Sequence, residues 1–224
     1  MLEPQTLRFL QQLEQNNHKP WFDAHRKDYE AARIDFQNFI QLAIDDLQRT
    51  DASIAGTQAR DCLFRINRDV RFSKDKSPYK TAMGASIKRG GKKSPFAGYY
   101  FHLEPGKCFV GGGLWMPEAA QLKATRQEID YCWEEFQGLL AADDFKKMFG
   151  DLYRSPETEL ITTPKGYEKD HPAISYLKFK SFIAETPVKD EELTTAGLHK
   201  KTVAAFKALH PLLCFLNRVV DDLG

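Results

Sequence analysis

GYYFHLEPGKCFVGGGLW, residues 98–115, reads as a β-hairpin and decides the fold class. Two runs, GYYFHL and CFVGGGLW, flank Glu104-Pro105-Gly106-Lys107. Proline followed by glycine suits the centre of a type II turn. The pyrrolidine ring presets φ at about −65°, and glycine accepts the positive φ that follows. Gly111-Gly112-Gly113 lacks the spacing of a dinucleotide fingerprint. Three glycines in a strand mark a bulge or a close approach of another backbone, or leave bare backbone over which a ligand passes.

Helical periodicity surrounds this hairpin. Leu7, Leu10 and Leu13 recur at helical spacing, and Asn16-Asn17 ends that segment. Pro20 sits where a helix begins. Phe22, Tyr29, Phe36, Phe39, Ile40, Ala43, Ile44 and Leu47 then mark one face of a single helix of about 28 residues, roughly 42 Å long. Beyond the hairpin, Met116-Pro117-Glu118 opens a helix with a core face of Leu122, Ile129, Trp133, Phe136 and Leu140. Residues 150–172 are loop-rich, and SFIAETPV reads as a further strand. The C-terminal segments are predicted helical through Phe206, Leu209, Leu213, Leu216 and Val220, with breaks at Gly197 and Pro211. This order of elements predicts an α+β fold in one domain over residues 1–224. An antiparallel sheet is packed by N-terminal, central and C-terminal helices.

A hydrophobic content of 42% with 16 Phe supports a sizeable core and is unlike a disordered chain. The net charge of +1 hides a segregation. Residues 60–93 hold eleven Lys/Arg against three Asp, a local +8, which leaves −7 for the remainder. Such a basic stretch attracts phosphates, nucleic acid or acidic partners. Cys62, Cys108, Cys132 and Cys214 form no CxxC pair, so reduced cysteines are expected rather than a zinc knuckle. The N-terminus turns polar too early for a signal peptide, and no apolar run approaches the roughly 20 residues of a membrane helix. A cytoplasmic protein with no membrane partner is the expectation.

The charge concentrates in RINRDVRFSKDKSPYK, residues 65–80. Leu63 to Phe72 alternates with period 2, which predicts a strand. Phe64, Ile66, Val70 and Phe72 share one face with Arg68, and Arg65, Asn67, Asp69 and Arg71 share the other. A guanidinium among apolar residues must be paired within the protein or aimed at a ligand. Arg65 and Arg71 either neutralise Asp69 or hold two forks towards a phosphate or carboxylate. Lys74, Asp75, Lys76, Tyr79 and Lys80 follow in a polar loop. Asn16 to Phe22 sets polar donors before two aromatics at a helix start, where anions are favoured. His102 and His171 are the acid–base candidates, the latter beside Asp170. A metal site from Asp170, His171 and His102 has no spacing to support it. GxSxG, Walker A and HExxH motifs are absent, which removes the common hydrolase, NTPase and zinc-protease signatures.

FLQQLEQNNHKPWF, LFRINRDVRFSKDKSPYK, GYYFHLEPGKCFVGGGLWMPEAAQLKATRQEI and TTPKGYEKDHPAISYLKFKSF occur in this order between Phe9 and Asn217. Together they resemble the family known as domain of unknown function 2461. The resemblance implies one domain in which the motifs belong together, and brings no reaction, substrate or cofactor. Motif order then groups Asn17, Lys19, Trp21, Arg65, Arg68, Asp69, Arg71, Lys74, Asp75, Lys76, Tyr79, Lys80, Trp115, Lys165, Asp170, His171, Lys178 and Lys180 on one expected surface.

Three functions fit these residues. In the first, Arg65, Arg68, Arg71, Lys74, Lys76 and Lys80 bind a phosphate-bearing ligand, nucleotide or nucleic acid, with Tyr79 and Trp115 stacking. In the second, an enzyme acts on a small phosphorylated or carboxylated substrate, with His171, Asp69, Asp75 or Tyr79 handling protons. In the third, the basic segment docks an acidic protein partner.

Overall fold

The computed structural model describes residues 1–223. Helices α1 (Pro4–Gln15), α2 (Lys19–Ala24), α3 (Arg26–Leu47) and α4 (Ala59–Cys62) precede strands β1 (Met83–Ile87), β2 (Gly98–Leu103) and β3 (Phe109–Leu114). Helices α5 (Ala119–Tyr131), α6 (Trp133–Ala141), α7 (Asp143–Phe149) and α8 (Ile174–Leu177) follow. Strand β4 (Phe182–Pro187), α9 (Asp190–Leu193) and α10 (Gly197–Leu223) complete the chain. The fold is α+β, with a four-stranded antiparallel sheet in the order β1-β2-β3-β4 packed against helices that include α10.

Two compact units share the chain. The first comprises residues 1–87, 100–110 and 187–204, and the second 88–99, 111–186 and 205–224. The first boundary follows the end of β1, and the other four fall within β2, β3, β4 and α10.

In the first unit α3 lays Phe36 and Phe39 on Phe101 of β2, with ring centroids 6.0 and 5.1 Å apart. Asp35 of α3 reaches the start of α1. Its carboxylate accepts from the Glu3 amide at 2.9 Å, a donor that a helix start leaves open, and from the Thr6 hydroxyl at 2.6 Å. The predicted 28-residue helix is instead divided at His25, whose backbone leaves helical geometry. The His25 ring takes the Trp21 carbonyl through Nδ1 at 2.8 Å and stacks on the Trp21 indole at 4.1 Å. This local bond competes with the helical ladder.

The β2–β3 turn is as predicted. The Lys107 amide donates to the Glu104 carbonyl at 2.8 Å, and Gly106 has φ +80°. In the second unit the glycine run lies inside β3, where φ is +156° at Gly112 and +130° at Gly113. A Cβ on Gly113 would lie 2.1 Å from the Phe182 carbonyl oxygen of β4. These glycines therefore serve a close backbone approach. From Ala205 onward, α10 contributes Phe206 against Tyr99 at 5.1 Å and Phe215 against Phe136 at 5.3 Å.

The break expected at Pro211 does not occur, because α10 runs through it. Pro211 is exposed while Leu209, Leu212 and Leu213 are buried on either side, so packing outweighs one missing amide bond. Residues 197–222 are long and apolar enough to span a bilayer by length and composition alone, contrary to the sequence expectation. More than half of their most apolar window is buried within the protein.

Candidate functional site

The Arg65–Lys80 segment belongs to the first unit and is not a strand. It is a loop pinched at its neck by isolated bridges, Leu63 with Ala85 and Asn67 with Tyr79. Backbone bonds from Arg68 to Pro78 at 2.9 Å and from Lys80 to Ile66 at 2.8 Å close it. Its acidic side chains take local amides that a ladder would need. Asp69 accepts from the Arg71 amide at 3.3 Å and Asp75 from the Ser77 amide at 2.9 Å. The predicted apolar face is accordingly not buried: Ile66 is covered, whereas Phe72 is 97% exposed.

Three of the six predicted cations are committed inside this loop. Arg68 pairs with Asp75 and also donates to the Ser77 carbonyl at 3.2 Å. Arg71 holds Asp69 with two bonds, Nε to Oδ1 at 3.0 Å and Nη2 to Oδ2 at 2.6 Å. The ammonium of Lys76 donates to the Val70 carbonyl at 2.9 Å. Hydrogen bonds from Ser77 and then Arg68 hold the Asp75 carboxyl down to about 2. The Arg71 guanidinium holds Asp69 below its usual range. Asp69 and Asp75 are thus structural acceptors. Tyr79 is buried and stacks on Phe22 at 3.9 Å. Asn17 clasps the Tyr79 backbone from both sides, Nδ2 to carbonyl at 2.9 Å and amide to Oδ1 at 3.1 Å. The first two sequence motifs therefore meet at the neck of the loop.

Arg65, Lys74 and Lys80 remain. Among the described residues none of these three side chains forms an ion pair. Lys80 extends over the Phe64 ring, 5.6 Å from its centroid, and Phe64 meets Tyr100 edge-on at 6.3 Å. Burial lowers the Lys80 pKa, and the Arg65 charge lowers it further. Two cations that repel each other thus border an exposed aromatic edge.

From this edge a polar row follows β2. Tyr100, His102 and Glu104 stand two residues apart, so the strand period sets them on one face. The His102 Nε2 lies 3.0 Å from Glu104 Oε2, and its Nδ1 lies 3.2 Å from the Tyr100 hydroxyl. Lys107 also donates to Glu104 at 3.0 Å. A carboxylate only accepts, so in the neutral ring Nε2 carries the proton and Nδ1 accepts from Tyr100. The imidazole stacks on Phe109 at 4.9 Å, which fixes its plane. Burial and then the Glu104 charge push the Tyr100 hydroxyl up to about 12. Burial works to raise Glu104, but hydrogen bonds from His102 and Lys107 outweigh it and hold the carboxyl below its ordinary range. Gly84 makes room for this row, because a Cβ there would lie 2.4 Å from the Tyr100 hydroxyl oxygen. His102 was a candidate from the sequence. The partnership with Glu104 and the room left by Gly84 required the fold.

Trp115, Lys165, Asp170, His171, Lys178 and Lys180 belong to the second unit. Trp115 is exposed, and Lys180 donates to the Pro156 carbonyl at 3.2 Å. His171 is oriented by Asp130, not by adjacent Asp170: Nε2 lies 2.8 Å from Asp130 Oδ1, and Nδ1 accepts from the Ala173 amide at 3.1 Å. A shallow groove of about 700 Å³ runs past Asp130, Glu128, Tyr131 and Asp222. Among the described residues no cluster of His, Cys, Asp and Glu could hold a metal ion.

The chain belongs to the DUF2461 family of conserved hypothetical proteins, which it matches over residues 5–215. No curated protein and no solved structure matches it.

Proposed function

We propose that this protein binds a phosphate-bearing ligand, a nucleotide or a short stretch of nucleic acid, through Arg65 and Lys80, with Lys74 adding charge. The observation that carries this reading is the pair of cations without carboxylate partners, one of them partly desolvated, beside the Phe64–Tyr100 edge. An arriving phosphate relieves the repulsion between them, and the exposed Phe64 ring offers a surface on which a base stacks. The neighbouring Arg68, Arg71 and Lys76 order the loop and contribute little to the ligand, since their donors are spent internally.

Three available cations set a modest salt dependence. For single strands the slope of log K against log salt is about −0.7 per phosphate neutralised, hence about −2 here. Fluorescence anisotropy with labelled single-stranded DNA, RNA, duplex DNA and ATP across a salt series tests this. Binding lost in Arg65→Ala/Lys80→Ala and kept in Arg71→Ala is expected. Equal binding by wild type and the double variant would refute it.

A second reading, an enzyme on a small phosphorylated substrate, rests on the Tyr100–His102–Glu104 row. A ligand hydroxyl beside Tyr100 could pass its proton to the phenol oxygen as the phenol proton moves to His102 Nδ1. Glu104 would then stabilise the imidazolium. Incubation with nucleotides followed by 31P NMR tests it. Turnover that His102→Gln abolishes without weakening binding favours catalysis, and absence of turnover leaves a binding protein.

A further inference from the structure

We propose that Arg126 and Tyr167, in the second unit, form a binding site for a small oxyanion, a carboxylate or phosphate group. This site is independent of the Arg65–Lys80 reading.

Arg126 lies on α5 and is half-buried. One Nη2 proton goes to the Phe179 carbonyl at 2.9 Å. Its Nε is buried with no hydrogen-bond partner. Among the described residues no carboxylate pairs with it. Asp130, one turn further along α5, gives its carboxylate to His171 instead. Other arginines of the same unit fare differently: Arg154 pairs with Asp151 and Glu159, and Arg218 with Glu128 and Glu135. Removing a guanidinium from water without a counter-charge is costly, and a protein carbonyl neutralises none of its charge.

Tyr167 supplies the second group. Its hydroxyl has no hydrogen-bond partner among the described residues, and its ring is held edge-on against His171 at 5.7 Å. The charges of Arg126 and Asp130 both act on this hydroxyl. Burial, aided by Asp130 and opposed by Arg126, raises its pKa, so it stays an O–H donor at neutral pH. Burial likewise lowers the Arg126 pKa, the mark of a cation short of compensation. The guanidinium and the uncommitted hydroxyl offer donors, and the nearby Asp130 carboxylate is engaged by His171 Nε2, a set that favours an oxyanion over a cation. His171 is then a positioning residue. Asp130 and the Ala173 amide lock its ring, and the ring holds Tyr167.

Isothermal titration calorimetry on the full chain tests the site, with sodium phosphate and sodium malonate as separate probes in chloride buffer. The Arg65→Ala/Lys80→Ala background removes the other anion site. Saturable binding of either probe in that background, weakened at least tenfold by Arg126→Met and several-fold by Tyr167→Phe, is expected. The midpoint of thermal unfolding without anion should not fall in Arg126→Met, since that change removes an uncompensated charge. Absence of saturable heat with both probes overturns the proposal, as does unchanged affinity in a folded Arg126→Met variant. If that variant does not fold, Tyr167→Phe decides: weakened binding supports the site and unchanged binding overturns it. Failure here leaves the Arg65–Lys80 reading intact, because its variants are assayed separately.

Discussion

Substituting Gly113 by alanine isolates the close approach of β3 and β4. The added Cβ would sit 2.1 Å from the Phe182 carbonyl oxygen, 2.8 Å from the Ile183 Cα and 3.0 Å from the Phe182 carbonyl carbon. All three are backbone atoms, so no side chain can rotate away. Relief requires a shift of β4 or a change of φ from +130°, which L-residues rarely adopt. Overpacking costs about 1–3 kcal/mol and a strained φ about 1–3 kcal/mol. Alanine also restricts the unfolded chain, which returns about 0.4–1 kcal/mol. The net expectation is a loss of about 3 kcal/mol. With an m-value of about 2–3 kcal/mol/M in urea, the midpoint should drop by about 1 M. Equilibrium unfolding followed by circular dichroism measures it. Gly138→Ala is the matched control: Gly138 is exposed in α6 with no atom near its Cβ position, and alanine there should stabilise by up to about 1 kcal/mol. A Gly113→Ala midpoint equal to wild type would refute the packing argument.

Asn17→Ala leaves the buried Tyr79 backbone amide and carbonyl without their side-chain partner and should cost about 1–3 kcal/mol. Faster proteolysis confined to residues 68–77 would show the neck of the loop opening. Asp75 is held down to about 2, whereas an unfolded aspartate titrates near about 4. Its contribution to loop order is therefore complete above about pH 4 and is lost as pH falls through about 2. Carboxyl chemical shifts against pH read this directly, and titration of Asp75 near pH 4 would contradict it. Tyr100, raised to about 12, favours folding below about pH 10, and that contribution disappears as pH rises towards 12. In Tyr100→Phe the stability loss above pH 10 should be smaller, as measured by urea unfolding at pH 9 and 11.

The hairpin was legible because its turn chemistry and strand period agree, and Gly106 meets the demand for positive φ. Helix faces were legible for the same reason: Phe36, Phe39, Ile40 and Leu47 are all buried as their spacing requires. β1 escaped notice because Gly84, Ala85 and Ser86 are small and give no apolar alternation. Leu63 to Phe72 showed the opposite fault, a good alternation without a ladder to accept it. Of the predicted site, the charge was visible but its internal consumption was not. Whether Arg68 meets Asp75, or His171 meets Asp130 in place of Asp170, depends on loop closure and on residues 41 positions apart. Arg126 gave no signal, since its distinction lies in the partner it lacks.

The division of the chain has a consequence for its synthesis on the ribosome. The first unit draws on residues 187–204, and the second needs residues 205–224 as well as 88–99. Neither unit has all of its segments until residue 204 has been added. An emerging chain of 180 residues therefore carries the α3 face and both hairpin strands without their full complement of neighbours. Packing of the first unit is therefore complete only after residues 187–204 have emerged, which gives holdase chaperones a long window in which to engage the chain.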